Sequence, residues 1–224
     1  MNSLTQLTIS KQAALDGVVL RDGKRQKLLD NYAWHQAAWD CFPGRPDDTR
    51  DFLTRLDESP HSFRLLIVSA QPPTRPDWCP PEFWQSREIP PGYFQRTRYT
   101  FQLRANPTKK VINPDKPKVV RPDGRIDRNK NARRVALRQP AELVAWLHRK
   151  AATGGFAVDA DSLRVIPEGQ DHFSNDHQHG AHASVEFRGL LSVADPAKFH
   201  QTFVTGLGSA KAFGFGLLVI APIN

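Results

Sequence analysis

Tyr32 and His35 stand three residues apart in Asn31-Tyr32-Ala33-Trp34-His35, a spacing that on a helix projects both side chains from one face. Histidine alone has an unperturbed pKa near neutrality, which suits proton transfer to or from an attacking or leaving oxygen, and a tyrosine hydroxyl beside it can orient or donate. The same stripe holds Leu28 and Trp39, so from spacing alone a packed, hydrogen-bonded histidine is the simpler reading. A second pattern runs from Gly206 to Gly216, with two Gly-x-Gly pairs, Gly206/Gly208 and Gly214/Gly216, flanking five residues that include Lys211. Glycines let backbone N–H groups approach an anion without a Cβ in the way, and Lys211 adds a positive charge. A nucleotide P-loop needs Gly-Lys-Ser/Thr between a strand and a helix, and that order is missing. The pattern fits phosphate cradling without nucleotide hydrolysis; its alternative is a set of tight turns packing helix on strand.

A third group, His172, His177, His179 and His182 with Asp171 and Asp176, offers transition-metal ligands. It lacks H-E-x-x-H spacing and helix phasing, and reads as a polar hairpin loop that can touch phosphate when protonated. Cys41 and Cys79 have no C-x-x-C spacing, which argues against a thiolate zinc site or a disulfide framework. No metal or other cofactor is expected.

The charge narrows the partner. The 224 residues carry 31 Lys+Arg against 23 Asp+Glu, a net charge of +8. Twelve basic residues and three acids fall between Arg104 and Arg138, a local balance of +9, so the rest of the chain sums to −1. A block of one sign with little apolar content is the mark of an interaction arm for a polyanion. Its alternative is a disordered basic loop without function. The longest apolar run, near Leu217 to Ala221, is far short of the roughly 20 residues of a membrane span, and the first residues alternate like a strand rather than a leader. The expected location is cytoplasmic, with no membrane partner.

The elements that must position these residues follow from periodicity. Leu4 to Ser10 alternates as a strand, and Lys11 to Lys27 reads as an irregular polar stretch. Leu28, Tyr32, His35, Trp39 and Phe42 recur at helical spacing until Pro43-Gly44. Asp47 to Leu56 suggests a short helix or turn, and Phe63 to Ala70 a central strand. Seven of the eighteen prolines lie between Pro72 and Pro91, which puts a boundary between two domains, 1–92 and 93–224, near Gly92. The second half reads strand (Tyr99–Arg104), helix opened by Pro140 and closed by Gly154-Gly155, two or three strands, helix from Asp195-Pro196, strand. That is the order of a ferredoxin-like domain, and the first half is a degenerate copy. The predicted fold class is α+β, with two tandem ferredoxin-like (RRM-like) domains.

The chain resembles the CasE family, the CRISPR repeat-processing endoribonucleases of type I-E systems. The likeness runs through Asn31 to His35, Phe42 to Pro46, Ser69 to Pro72, Phe101 to Lys109, Ala141 to Leu147, Phe187 to Leu191 and the glycine loop to Pro222. The Leu103-Arg104-Ala105-Asn106-Pro107 block and the terminal glycine loop in this order are its specific parts. The resemblance implies metal-independent cleavage of precursor CRISPR RNA at the base of the repeat hairpin, and retention of the mature crRNA alongside the other Cascade subunits. It places the catalytic histidine on His35 and its partner on Tyr32, against the simpler reading above. RNA binding is expected from Arg104, Lys109, Lys110, Arg133, Arg134 and Arg138, and from Gly206, Gly208, Lys211, Gly214 and Gly216. The departures from the family are the Lys11–Lys27 insertion and the histidine-rich loop. Two other readings remain: a non-catalytic RNA-binding subunit of the same fold, and a metal-dependent nuclease using the histidines between His172 and His182.

Overall fold

The structure, a computed structural model, describes residues 2–21, 24–28, 31–44, 50–112, 119–125, 132–175 and 178–223. In the first half β1 (Ser3–Ser10), β4 (Phe52–Glu58), β5 (Ser62–Ser69) and β6 (Trp84–Glu88) form one sheet in the order β4-β5-β1-β6, every neighbouring pair antiparallel. Counted along the chain that is 2-3-1-4, the ferredoxin-like order. Helix α2 (Asn31–Trp39) connects the first two sheet strands, while the proline-rich stretch before β6 holds only a 3-10 turn, Pro81–Phe83, where the second helix belongs. Proline lacks the N–H that a helix interior requires, which explains the lost element.

The second half repeats the order: β7 (Arg98–Ala105), β10 (Phe156–Val158), β11 (Arg164–Asn175), β12 (Gln178–Val193) and β13 (Leu218–Pro222) give β10-β12-β7-β13, with β11 also pairing β12. Helix α3 (Pro140–Thr153) starts with proline in its first turn and buries Leu143, Trp146, Leu147 and Ala151. Helix α4 (Pro196–Thr205) is capped by Asp195, whose side chain accepts from the Lys198 N–H, and buries Phe199 and Phe203. The basic segment supplies a separate antiparallel ribbon of β8 (Thr108–Ile112) and β9 (Ala132–Ala136). Its residues 113–118 and 126–131 lie outside the described set.

Two expectations are corrected. The stretch Lys11–Lys27 contains α1 (Lys11–Asp16), N-capped by Ser10 and closed by Gly17 at φ 79°, then a hairpin of β2 (Val19–Arg21) and β3 (Lys24–Gln26). These elements are too short to show a period, and local capping decides them. Residues 45–49 lie outside the described set, but the end of the segment read as a short helix or turn is strand β4. Phe52 joins the core beneath α2, whereas Leu53 joins the core of the second half. A strand buried on both faces loses its alternation and cannot be told from a short helix by pattern.

That double burial joins the halves. Leu65 and Ile67 of β5 face α2, and Leu66 and Val68 pack with Phe101, Trp146, Phe203 and Leu218 of the second half. Between the sheets, Arg55 at 2% exposure donates to Asp57 at 2.7 Å and to the buried Glu186 at 3.1 Å. Removing either side of such a pair leaves a buried charge uncompensated.

Candidate functional site

Helix α2 presents Trp34, Ala37 and Ala38 to the first core, followed by Cys41. The two alanines let the helix lie close on the sheet, and they rotate it relative to the stripe expected from sequence. His35 and Trp39 consequently sit at the rim, half-buried. The Trp39 indole N–H donates to His35 Nε2 at 3.1 Å. His35 opens onto a narrow cleft whose other lining includes Thr54 and Leu56 of β4 and, from the second half, Ala212, Phe213 and Gly214. The cleft therefore has one wall from each half. Tyr32 belongs to the same helix one turn earlier; its side chain lies outside the described residues.

The glycine loop owes its shape largely to packing. Gly206, Gly208, Gly214 and Gly216 all have positive φ, as does Ala210 at 61°. A Cβ on Gly216 would stand 2.5 Å from the Leu207 carbonyl oxygen, and one on Gly206 2.9 Å from the Gly216 carbonyl oxygen and from Leu53. The amides of Gly206, Leu207, Gly214 and Gly216 donate to the carbonyls of Thr202, Gly216, Lys211 and Arg104. The close-packing alternative thus accounts for Gly206 and Gly216, and these four N–H groups are engaged within the protein. Gly214 differs, since nothing lies nearer its Cβ direction than the Thr54 carbonyl at 3.9 Å, and it faces the His35 cleft. Lys211 donates to the Thr205 carbonyl. Burial, and then the positive charges of Arg50 and Lys150, hold the Lys211 ammonium below its ordinary pKa. Arg50 and Lys150 are cations that the sequence reading missed; their distance along the chain from Lys211 left no local signal.

His182 on β12 lies apart from any loop. Its Nδ1 hydrogen-bonds the Asn106 side-chain amide at 2.9 Å, and its ring packs on Phe213 at 4.8 Å between centroids. It thereby braces the 3-10 turn Lys211–Phe213 that walls the cleft. The segment read as a polar hairpin loop is the paired end of a hairpin, with β11 and β12 in register from Asp171↔His182 to Asn175↔Gln178. The side chains of residues 171–181, with His172, His177 and His179, lie outside the described set. Among the described residues no three His, Cys, Asp or Glu side chains gather as a metal site. Cys41 and Cys79 are buried free thiols, and burial pushes the Cys79 thiol up to about 11. Both stay protonated at neutral pH and lack nucleophilic character.

Of the predicted RNA-binding cations, Lys109, Lys110, Arg133 and Arg134 are exposed on the ribbon and Arg138 is exposed just beyond it. Lys109 also pairs with Glu142 of α3 at 2.7 Å. Arg104 is held differently. It points between the halves, donating to both Glu168 oxygens (2.8 and 3.3 Å) and to the Leu56 carbonyl. Burial works against its charge, but the hydrogen bond and charge of Glu168, with Glu186 and Asp57, hold the guanidinium above its ordinary pKa. Its carbonyl accepts the Gly216 N–H. Arg104 thus ties β4 to the glycine loop, the two walls of the His35 cleft, and its charge is already matched.

A cavity of about 520 Å³ between the sheets is mostly apolar and holds none of the expected site residues. Among the described residues, no helix is long and apolar enough to cross a membrane.

Comparison with known proteins places these features. Residues 4–222 match the model of a family described as CRISPR associated protein. The chain is 32% identical over 198 residues to the CRISPR system Cascade subunit CasE of Escherichia coli K12, covering 87% of this chain and 93% of that protein. It is 29% identical over 213 residues to the CRISPR-associated endoribonuclease Cse3 of Thermus thermophilus, covering 88% and 93%. A solved structure of CRISPR endoribonuclease Cse3 bound to a 19 nt RNA superposes with a TM-score of 0.70 at 26% identity, over 99% of this chain and 100% of that one.

Proposed function

The chain belongs to the CRISPR associated protein family as a CasE-type Cascade subunit, and from that premise we propose that it cuts precursor CRISPR RNA at the base of the repeat hairpin without a metal ion. The observation that carries the reading is the composite cleft: His35 from one half faces Phe213 and Gly214 from the other. A histidine held by Trp39 at the edge of a loop flanked by cations is suited to proton transfer beside a phosphate. In the proposed reaction the 2′-OH upstream of the scissile phosphate attacks phosphorus in line. The P–O5′ bond breaks, leaving a 2′,3′-cyclic phosphate and a 5′-OH. His35 carries a proton as general acid or base, and Tyr32 orients the attacking or leaving oxygen. Acid–base help of this kind contributes about 10²- to 10⁴-fold, and holding the in-line geometry contributes the rest.

Lys109, Lys110, Arg133, Arg134 and Arg138 grip the hairpin through its phosphates, since an A-form stem is read mainly by shape and backbone. The glycine loop with Lys211 lies beside the scissile group, and the product crRNA stays bound among the other Cascade subunits. The domain division is 1–92, carrying the histidine, and 93–224, carrying the ribbon and glycine loop.

The test incubates the purified protein with its cognate repeat RNA in EDTA and analyses the product ends. Cutting with a cyclic phosphate is expected. Cutting restored only by added metal, or none at all while the RNA still binds, overturns the reading. Replacing the scissile-site ribose by 2′-deoxyribose is expected to stop cutting and spare binding.

A further inference from the structure

The glycine loop does not specify its own shape. Gly206, Gly208, Ala210, Gly214 and Gly216 all take positive φ, and among the described residues Ala210, at 61°, is the only one other than glycine to do so. A strained backbone of this kind persists where its surroundings over-determine it. The ends of the loop are held by the main chain, with the Gly206 N–H donating to the Thr202 carbonyl and the Gly216 N–H to that of Arg104. The turn between them, which touches α2 and β4 of the first half, is bonded locally: the Phe213 and Gly214 amides donate to the carbonyls of Ala210 and Lys211, and the Lys211 ammonium to that of Thr205.

Two further contacts tie this turn to the second sheet, and they meet. Before the turn, the isolated bridge Asn106↔Ser209 and the Ser209 hydroxyl, which donates to the Asn106 carbonyl at 3.3 Å, fasten the loop to the end of β7. After it, the His182 ring packs against Phe213 and Phe215 at 4.8 and 5.9 Å between centroids. The Asn106 side-chain amide joins the two anchors by donating to His182 Nδ1 at 2.9 Å. Asn106 is 6% exposed, and breaking the bond from the histidine side leaves a buried amide unpaired, a costly state. Both residues stand on a stiff base, because β7 and β12 are paired up to Ala105↔Val185.

Phe213 is also the residue that walls the cleft across from His35. His182 is thus one side chain removed from the cleft, and Asn106 two. Proton transfer and in-line attack both depend on geometry so closely that a misplacement of about 1 Å costs about 10²-fold in rate.

We propose that Asn106 and His182 are positioning residues for the cleavage: a hydrogen-bonded pair that fixes Phe213, and through it the cleft wall facing His35, without touching the RNA. The inference rests on the RNA-cleavage reading above. It adds to that reading two residues outside the cleft, and it gives His182 a task other than metal ligation.

The experiment measures single-turnover cleavage of the repeat hairpin beside affinity for the same hairpin with 2′-deoxyribose at the scissile nucleotide. His182→Leu and Asn106→Leu are each expected to cut about ten- to a hundredfold more slowly, with affinity unchanged. The double variant is expected to be no slower than the slower single, since both act through one bond. His182→Leu is expected to cost nothing further in a Phe213→Ala background, because its action passes through that ring. A rate equal to wild type, a fall in affinity that matches the fall in rate, multiplied effects in the double variant, or an undiminished loss in Phe213→Ala each overturns the proposal. His182→Phe, which removes the Nδ1 acceptor and keeps a ring, and Asn106→Ala serve in the same cycle if a leucine variant fails to fold. Failure of the cleavage reading is distinguishable, because the wild-type protein then does not cut the unmodified hairpin, whereas failure of the proposal leaves wild-type cutting intact.

Discussion

Trp39 donates its indole N–H to Nε2 of His35 across 3.1 Å, one helical turn away, with the two rings at 83° to each other. Nε2 is thus the acceptor, and the neutral imidazole carries its proton on Nδ1. Trp39→Phe keeps a ring against Phe52 but removes the donor. The cleavage rate is expected to fall about fivefold, the worth of a hydrogen bond near 1 kcal/mol, with RNA affinity unchanged. His35→Ala is expected to lose about 10²- to 10⁴-fold or more in single-turnover rate and still bind. Single-turnover kinetics beside a filter-binding titration reads both.

Arg104 and Arg134 separate two roles that a sequence presents as one. Arg134 is exposed on the ribbon, so Arg134→Ala is expected to reduce the slope of log affinity against log salt by about one unit. Arg104 is matched by Glu168, so Arg104→Ala is expected to leave that slope unchanged. It instead lowers stability by about 2 kcal/mol and slows cutting by loosening the cleft walls. Binding titrations at several salt concentrations, with urea unfolding, distinguish the two.

The last two glycines of the loop predict opposite behaviour. Gly216→Ala adds a Cβ 2.5 Å from the Leu207 carbonyl oxygen at φ 88°, and is expected to cost about 3 kcal/mol through strain and clash. Gly214→Ala has room, its nearest neighbour lying at 3.9 Å, and is expected to cost about 1 kcal/mol for the left-handed backbone alone. Because that methyl group enters the cleft, Gly214→Ala slows cleavage in a folded protein. Thermal melts and cleavage rates on the same samples test the contrast.

Acid weakens the contact between the halves. Burial raises the Asp57 carboxyl pKa, but Arg55 and Arg64 outweigh it and hold the group below its ordinary range. Burial likewise raises Glu168, and Arg104 with Ser184 outweighs it. A depressed carboxylate contributes stability that is complete above the unfolded pKa of about 4 and is lost as pH falls through the folded value. The melting temperature is expected to be flat from about pH 7 to 5 and to fall steeply below about 4. In Arg104→Ala, where Glu168 loses its strongest partner, the acid limb is expected to be shallower. Melts across a pH series measure it.

Element order was readable from the chain because alternation in β1 and β7 and the 3.6 period of α3 are local patterns. The cap Asp195 and the glycine stop at Gly154 were readable for the same reason. What escaped depends on partners distant in sequence. Arg55 meets Glu186 across 131 residues and Arg104 meets Glu168 across 64, so nothing near Arg104 distinguishes it from the cations that follow. The face that α2 buries was also missed: two alanines, Ala37 and Ala38, outweigh the larger side chains at the rim because they permit close approach to the sheet. His35 was a candidate by type and by family likeness, and the cleft it shares with Phe213 and Gly214 depends on how the halves dock.

The ribbon of β8 and β9 pairs, among the described strands, with no strand but its own partner. Its outward side chains can be exchanged with little effect on either core, whereas the glycine loop is wedged against Leu53 and Trp146. Under the proposed function the ribbon is a replaceable reading head mounted on a fixed cutter. On the proposed reading, substitutions in Thr108–Ile112 and Ala132–Ala136 change which hairpin is recognised, and grafting those two strands between relatives is the economical route to redirecting it.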